Sequence, residues 1–223
     1  MAESAGLDCT ARICAEIDLD AIRFNMESMH RNLNPDVQMT AVIKANGYGH
    51  GAVRIAHEIE DLPYLWGFAT ATFEEARELR ESGIRKPILI LGYVFPYCFR
   101  ELARLGIRPA VFRRDMIREL GEAARQEGKK IYIHMAVDTG MSRIGVSTDE
   151  AGADLVKEAL QETMLEAEGI FTHFARADET DLSAADAQYA RFESFLQLVR
   201  ERTGYTFPIR HCSNSAGIIS LPS

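Results

Sequence analysis

Short, continuous apolar runs alternate along this chain with segments in which apolar residues recur every three or four positions. Continuous apolar runs predict strands covered on both faces, as in a parallel sheet, and the longer spacing predicts helices. Seven candidate strands are found, at residues 41–43, 66–70, 87–92, 108–112, 131–137, 165–171 and 207–212. The chain is therefore expected to be an α/β protein built from repeated strand–helix units.

The helical spacing is clearest before the first strand and after the fourth and sixth. A leading helix is predicted to carry Ile22, Met26, Met29 and Leu33 on one face. The later helices are marked by Ile117, Leu120 and Ala124, and by Phe192, Phe195, Leu196 and Val199. One strand and one helix every roughly 20–40 residues fit a (β/α)8 barrel, and a doubly wound open sheet gives the same alternation.

The strand count is one short of a closed barrel. A (β/α)8 barrel needs eight strands, whereas the pattern supplies seven and the sequence ends at Ser223, shortly after the last of them. We expect a TIM-like (β/α)8 barrel that is incomplete, with residues 1–223 forming one barrel domain truncated before strand eight. The alternative is a sheet that is complete with seven strands.

Composition and charge narrow the class of protein. With 223 residues, of which 47% are hydrophobic and 26% charged, the chain can bury one sizeable core. A net charge of −8 argues against a nucleic-acid partner bound through a basic field. No apolar run approaches the roughly 18 residues that span a bilayer, and residues 1–20 lack the basic and apolar regions of a secretory signal. We therefore expect a cytoplasmic protein without a membrane partner.

Cysteine spacing gives no sign of a metal site or a disulfide framework. Cys9, Cys14, Cys98 and Cys212 form no CxxC pair and no Cys/His spacing of a zinc site. Scattered cysteines in a chain without an export signal are typical of reduced thiols in a cytoplasm. No metal is expected.

Chemically active side chains follow four of the predicted strands. Lys44 follows the first, Arg143 the fifth, His173 the sixth, and Asn214 and Ser215 the seventh. Taken singly, each has an ordinary interpretation, such as a surface lysine, a turn, a packed histidine or a helix N-cap. Parallel strands, however, bring their carboxyl ends to one face, where barrel enzymes carry their chemistry. We expect these side chains to converge there.

These residue types suit a phosphate-bearing aldehyde. A sheltered lysine such as Lys44 can form a Schiff base. Residues 213–215, before a predicted helix, offer hydroxyl and amide groups and a helix start that suit a phosphate, and Tyr48, in the glycine-rich turn after the lysine, is placed to reach the same anion. His173 offers a flat ring and Arg143 a fork of donors for an oxygen anion. Together they describe a site for pyridoxal 5′-phosphate (PLP). No glycine-rich nucleotide-binding motif is present.

Four stretches of the sequence resemble one enzyme family. AVIKANGYGHGA (41–52), VDTGMSRIG (137–145), THFARADE (172–179) and HCSNSAG (211–217) resemble the amino-terminal barrel of alanine racemases, which are PLP enzymes on a TIM-like barrel. AEIDLDAIRFN (15–25) is similar to that family's opening strand and helix. The resemblance runs from there to the end of the chain, with the stretches in the expected order.

The resemblance implies a role for each matching residue. Lys44 would hold PLP as a Schiff base and act as the base on one face of the substrate α-carbon. Tyr48 and Ser215 would bind the phosphate, with Asn214 beside them. Arg143 would hydrogen-bond the phenolic oxygen of the cofactor.

The resemblance also implies roles for two histidines near the cofactor. His173 would pack against the pyridine ring. His211 would lie one layer further out and, in the family, links an arginine on the pyridine side to the opposing catalytic tyrosine. That arginine belongs to strand eight, and the tyrosine to a carboxy-terminal β-domain acting on the partner subunit. Neither has a counterpart in the 223 residues.

Two positions depart from the family pattern. Gly47 stands where the family usually has alanine, a small change that is expected to loosen the loop. Ala136, two residues before Asp138, stands where many alanine racemases have a lysine modified to a carbamate that orients the arginine. An anion or water is expected to take that place beside Arg143.

The resemblance implies a racemase that interconverts L-alanine and D-alanine and supplies D-alanine for bacterial peptidoglycan. The full-length protein is expected to be a homodimer acting on a small amino acid, and the 223-residue chain alone is expected to be inactive. Three alternatives remain open: a single-domain PLP-binding protein of similar length, a PLP decarboxylase of the same barrel type, and a racemase that prefers serine.

Overall fold

In the part of the chain that the structure describes, seven parallel strands form one curled sheet whose strand order follows the sequence. The computed structural model describes residues 12–221. The strands are β1 (Met39–Val42), β2 (Leu65–Thr70), β3 (Ile88–Ile90), β4 (Arg108–Val111), β5 (Ile131–Ala136), β6 (Leu165–Phe171) and β7 (Ile209–His211). A doubly wound sheet would reverse its strand order at a switch point. Because no reversal occurs within residues 12–221, the prediction of an incomplete TIM-like barrel is confirmed and the doubly wound alternative is wrong.

Helices alternate with the strands and pack against the sheet. They are α1 (Leu19–His30), α2 (Lys44–Tyr48), α3 (Ala52–Ile59), α4 (Phe73–Glu81), α5 (Phe99–Leu105), α6 (Arg114–Glu127), α7 (Glu150–Gln161), α8 (Ser183–Thr203) and α9 (Ser215–Ser220), with a 3-10 turn at Pro96–Cys98. Leu120 and Ala124 of α6 and Phe192 and Phe195 of α8 are buried, as their spacing predicts. Their burial holds the helix layer on the sheet.

Two predictions near the amino end differ from the structure. The leading helix ends at His30, so Leu33 lies in the turn after it, although it still packs against the core. Pro35 lies shortly beyond this turn and would stop any extension of the helix, because proline cannot continue a helix and disfavours helical backbone in the residue before it. Residues 14–18 form no strand, since no strand within residues 12–221 pairs with them.

The two outer strands of the sheet are β1 and β7. Within the described residues each pairs with a single neighbour, so one edge of each carries unpaired backbone groups. Apolar side chains are exposed on the elements at these edges: Val42 in β1 is 39% exposed and Ile219 in α9 is 62% exposed. The curled sheet is therefore open between its first and last strands.

Three of the four cysteines lie within the described residues. Cys14, Cys98 and Cys212 are free thiols, and Cys9 lies outside the described residues. Among residues 12–221, no helix combines the length and the apolar content needed to cross a membrane.

Candidate active site

The lysine that follows the first strand is succeeded by a left-handed turn. Lys44 lies two residues beyond β1, and Ala45, Asn46, Gly47 and Tyr48 all have positive φ, between 51° and 62°. A left-handed backbone costs a non-glycine residue about 1–2 kcal/mol, so strain is stored directly after the lysine. The sequence indicated a glycine-rich turn here, but not its handedness.

Hydrogen bonds tie this turn to the start of α3. The amide of Gly51 donates to the Asn46 carbonyl at 2.9 Å, and Asn46 Oδ1 accepts from the amide of Ala52 at 2.9 Å. Gly47 is buried, and a Cβ at that position would lie 2.8 Å from Ile55 Cδ1. An alanine there would therefore have to displace Ile55. The loosening expected from Gly47 stays a prediction.

A carboxylate from the next strand–helix unit also supports the lysine turn. Glu75, in the first turn of α4, accepts hydrogen bonds from the amides of Ala45 at 2.6 Å and Ala71 at 2.8 Å. It also completes a capping box with Thr72. Glu75 thereby joins the loops after β1 and β2 and fixes the peptide that follows Lys44. Sequence reasoning missed it, because the capping-box motif signals the helix start but not this second contact.

The loop after β5 carries Arg143 at the same end of the sheet. Asp138 Oδ1 accepts hydrogen bonds from the amides of Gly140 and Ser142, both at 2.9 Å. Gly145 has a φ of 130°, and a Cβ there would lie 2.3 Å from the Asp138 nitrogen. The loop backbone is thus tightly fixed. The side chain of Arg143 is exposed and makes no hydrogen bond or ion pair with any of residues 12–221.

A buried glutamine connects the loops after β5 and β6. Gln188 in α8 donates through Nε2 to Thr139 Oγ1 at 3.1 Å and to the His173 carbonyl at 3.0 Å, and its Oε1 accepts from the amide of Ala175 at 2.9 Å. The hydroxyls of Thr139 and Thr172 lie 2.7 Å apart. These bonds satisfy the buried amide. Sequence reasoning missed Gln188; a polar residue on the apolar face of α8 was the available signal.

Two cations lie within electrostatic range of one histidine. Lys44 Nζ is 5.9 Å from the centre of the Tyr48 ring. His173 is half-buried, and burial, followed by the positive charges of Arg143 and Lys44, lowers its pKa. Its imidazole is therefore neutral at pH 7. The structure brings Lys44, Tyr48, Arg143 and His173 together, as their positions after parallel strands predict.

The loop after β7 starts a helix beside the loop after β6. Asn214 caps α9, because its Oδ1 accepts from the amide of Gly217 at 2.9 Å, and its Nδ2 donates to the Phe174 carbonyl at 3.3 Å. Phe174 directly follows His173. Ser215, the first residue of α9, is exposed. The predicted N-cap is present, while the phosphate-binding roles of Asn214 and Ser215 stay predictions.

His211, at the end of β7, belongs to a polar network inside the curled sheet. Its ring stacks on Phe171 with centroids 4.8 Å apart, and its Nε2 lies 2.9 Å from His134 Nδ1. Burial, followed by the neighbouring His134, lowers the pKa of His211 to about 3. His134 lies 3.5 Å from Glu168, which Arg108 binds at 3.0 Å. Sequence reasoning named His211 and missed the other three, although polar residues within predicted buried strands were a signal.

Ala136 lies in an apolar cluster where the resemblance leads one to expect a lysine. It is 1% exposed. It packs in a cluster with Ala110, Phe171, Leu91, Phe112 and Ile144. The anion or water expected beside Arg143 stays a prediction.

The charges and shapes of these residues fit PLP. Lys44 and Arg143 carry two positive charges near the neutral ring of His173, and within residues 12–221 neither is paired with a carboxylate. An anionic, planar ligand would balance this charge and offer a face to the imidazole. Lys44 is also half-buried, as suits a residue that reacts with an aldehyde.

Known proteins match almost the whole chain. The family model described as alanine racemase, N-terminal domain, matches residues 17–223. The chain belongs to the alanine racemase family. The alanine racemase of Desulforamulus reducens is 40% identical over 210 residues, which cover 94% of this chain and 56% of that protein.

Solved structures of the alanine racemase family and its relatives share the fold. Alanine racemase from Clostridium difficile 630 has a TM-score of 0.92 and 34% identity, covering 96% of this chain and 56% of that one. Histidine racemase from Leuconostoc mesenteroides subsp. sake has a TM-score of 0.81 and 25% identity, covering 91% of this chain and 53% of that one. The chain thus spans a little over half the length of these relatives, and its barrel is similar to those of racemases named for different amino acids.

Proposed function

We propose that this chain is the cofactor-binding half of a PLP-dependent racemase that interconverts L-alanine and D-alanine. The main support for this proposal is a group of side chains that lie together at the carboxyl ends of parallel strands: Lys44, Tyr48, Arg143 and His173. The full-length protein would act as a homodimer in a bacterial cytoplasm and supply D-alanine for peptidoglycan.

Each polar side chain would hold a different part of the cofactor. Lys44 would bind the aldehyde carbon through Nζ. The hydroxyls of Tyr48 and Ser215 would donate to the phosphate, and Asn214 would order the turn beside them through its bond to the preceding loop. Arg143, whose guanidinium has no partner within residues 12–221, would donate to the phenolic oxygen.

The two histidines would act as neutral groups. His173 would lie against the ring of the cofactor without adding a third positive charge beside Lys44 and Arg143, because its pKa is lowered. His211 would lie behind the site as a neutral hydrogen-bonding group. The positive charge that faces the ligand would then come from Lys44 and Arg143 alone.

Proton transfer would take place at Lys44. PLP, when bound, draws electron density from the substrate α-carbon and makes its proton acidic. Lys44 Nζ would accept that proton on one face and return it, and the strained turn and Glu75 would keep the lysine on that face. A single base serves one face only, so inversion requires a second proton donor on the opposite face.

Covalent labelling tests the assignment of Lys44. The purified chain is incubated with PLP, reduced with borohydride, digested and mapped by mass spectrometry. We expect a near-visible absorption band and a label on Lys44, both lost in Lys44→Ala with circular dichroism unchanged. Lys157→Ala, at an exposed position of α7, is the matched control and should keep the band. A label on Lys86, Lys129, Lys130 or Lys157 with Lys44 untouched would overturn the assignment.

Isotope exchange separates the racemase from its alternatives. The chain with PLP and L-alanine in deuterated water is expected to incorporate deuterium at the α-carbon with retained configuration and no measurable D-alanine. Labelling of Lys44 without exchange would favour a PLP-binding protein, faster exchange into serine would favour a serine racemase, and release of carbon dioxide would favour a decarboxylase. D-Alanine formed at an enzymatic rate would contradict the one-face mechanism, since a second base would then lie within the chain.

A further inference from the structure

A line of polar side chains crosses four neighbouring strands on the inner side of the sheet. Arg108 in β4 binds Glu168 in β6 through two contacts, Nε to Oε2 at 3.0 Å and Nη2 to Oε1 at 3.4 Å. Glu168 Oε2 lies 3.5 Å from His134 Nε2 in β5. His134 Nδ1 lies 2.9 Å from His211 Nε2 in β7. The line therefore ends three residues before Asn214, next to the candidate site.

Glu168 is the negative group of this line. Burial alone would raise the pKa of its carboxyl group, but the contact with His134 and the hydrogen bonds and positive charge of Arg108 outweigh burial and hold the pKa below its usual range. Glu168 is therefore ionised at neutral pH. An ionised carboxylate accepts hydrogen bonds and donates none.

His134 is a neutral ring in a fixed orientation. It is fully buried, and burial lowers its pKa despite the opposing effect of Glu168. Gly169 leaves room for the ring, because a Cβ there would lie 2.4 Å from His134 Nδ1. The Trp66 ring lies on another side, 5.2 Å away between centroids. A neutral imidazole has one nitrogen that donates and one that accepts.

The carboxylate decides which nitrogen of His134 carries the hydrogen. Its Nε2 faces the negative charge of Glu168, where a lone pair would be repelled and an N–H attracted. The contact of 3.5 Å is longer than a hydrogen bond, and Nε2 has no closer partner within residues 12–221. With hydrogen on Nε2, His134 Nδ1 is an acceptor. At 2.9 Å, His211 Nε2 must then be the donor.

We propose that Glu168 and His134 are positioning residues that hold His211 in one neutral form, with hydrogen on Nε2 and an acceptor at Nδ1. Any group that binds His211 Nδ1 must then be a donor, such as a guanidinium, an ammonium, a hydroxyl group or water. The inference concerns the chain without a cofactor, so its failure would leave the proposed racemase function intact, and the reverse also holds.

Nitrogen NMR measures this directly. In the chain labelled with nitrogen-15 histidine, two-bond proton–nitrogen spectra distinguish the two neutral forms from the charged ring, and loss of a signal in single histidine variants assigns each residue. We expect His134 and His211 to carry hydrogen on Nε2 throughout the range of about pH 6 to 8, where histidines ordinarily titrate. Hydrogen on His211 Nδ1, or a charged His211 at pH 7, would overturn the proposal without any further variant.

Glu168→Gln is the second test. The glutamine amide can donate as well as accept, so it no longer dictates the position of the hydrogen on His134. We expect the ratio of the two neutral forms of His211 to shift by roughly tenfold or more, as the loss of a contact to a partly buried charge implies. Glu168→Asp, which keeps the charge, should retain the original form.

The matched control lies on the same strand. Glu166→Gln removes a carboxylate two residues earlier in β6 that binds Lys130 instead of His134, and it should leave the His211 signal unchanged. An unchanged His211 signal in a folded Glu168→Gln protein would contradict the proposal. If Glu168→Gln does not fold, the nitrogen NMR spectrum of the unsubstituted chain still tests whether His211 carries hydrogen on Nε2.

Discussion

The loops after β1 and β5 each present a cation at the carboxyl end of the sheet, but they hold it in different ways. Lys44 precedes a left-handed turn that Glu75 and Asn46 fix through hydrogen bonds. Arg143 stands in a loop whose backbone Asp138 fixes, while its side chain has no partner within residues 12–221. The backbone beside Lys44 is thus fixed by the protein alone, whereas the guanidinium of Arg143 is available to bind a ligand.

The largest loss of stability is expected when a methyl group is added to a glycine in the loop after β5. Gly145→Ala places a Cβ 2.3 Å from the Asp138 nitrogen at a φ of 130°, and strain and clash together should lower the free energy of unfolding by about 3–5 kcal/mol. Gly49 in the lysine loop has a φ of 88°, and no atom of residues 12–221 would lie within 4 Å of an added Cβ. Gly49→Ala should therefore lower the free energy of unfolding by only about 1 kcal/mol. Urea unfolding measures both. Equal losses would mean that the loop after β5 yields more easily than its geometry indicates.

Loss of the carboxylate that supports the lysine turn should have the next largest effect. Glu75→Ala removes the acceptor of the Ala45 and Ala71 amides and should lower stability by about 2 kcal/mol. Because the peptide after Lys44 is then free to relax, borohydride labelling of Lys44 with PLP should also slow down. Glu74→Ala, at the exposed neighbouring position, is the control. Equal effects of the two variants would refute a special role for Glu75.

Stability is expected to fall as the pH falls below neutrality. The pKa of His173 in the folded chain is lowered by burial and by the charges of Arg143 and Lys44, and His134 and His211 are shifted in the same direction. Below about pH 6.5 the unfolded chain therefore binds more protons, and each such histidine lowers the free energy of unfolding by at most about 1.4 kcal/mol per pH unit. The loss ends where the folded histidine itself titrates. Urea unfolding at a series of pH values measures the slope, and a slope of opposite sign would contradict the lowered pKa values.

The pKa of His173 also compares the effects of the two cations, Lys44 and Arg143. Arg143→Gln should raise the pKa of His173 more than Lys44→Ala does, because the charge of Arg143 contributes more to its lowering. An NMR titration of the His173 ring measures both shifts. The reverse order would place the lysine, and not the arginine, nearer to the imidazole.

The smallest effect on stability is expected at the arginine itself. Arg143→Gln removes a side chain without partners within residues 12–221 and should change the free energy of unfolding by less than about 0.5 kcal/mol, while weakening PLP binding. Arg191→Gln provides the contrast, since Arg191 donates to the Thr139 carbonyl of the same loop at 2.7 Å and should cost about 1 kcal/mol. A larger loss for Arg143→Gln than for Arg191→Gln would show that the arginine is held by the protein after all.

The sheet was predictable because its strands are short and mostly apolar segments that differ from the helices in period. Each predicted strand is present, and its bounds differ by no more than two residues at either end. Lys44, Arg143 and His173 could be placed for the same reason, since residues after parallel strands must share one end of the sheet. Leu33 was placed wrongly in a helix, because its spacing alone does not reveal that the chain turns before Pro35.

The contacts that orient the site were not predictable from spacing. Alanine and tyrosine disfavour a left-handed backbone, and tertiary hydrogen bonds such as that from the Ala45 amide to Glu75 help to hold the turn after Lys44. The contact between His134 and Glu168 depends on how two paired strands are aligned and on the room left by Gly169. The alignment of paired strands is a property of the folded sheet, so it cannot be predicted from the sequence of a single strand.

Gln188 couples the loops after β5 and β6, because its one side chain is hydrogen-bonded to both. When its side chain leaves its place, the Ala175 amide loses its acceptor and the His173 carbonyl and Thr139 hydroxyl lose their donor at the same moment. Amide hydrogen exchange at Ala175 therefore reports the movement of α8 and not the motion of the loop alone. The His173 carbonyl thus depends for this hydrogen bond on a helix residue 15 positions further along the chain.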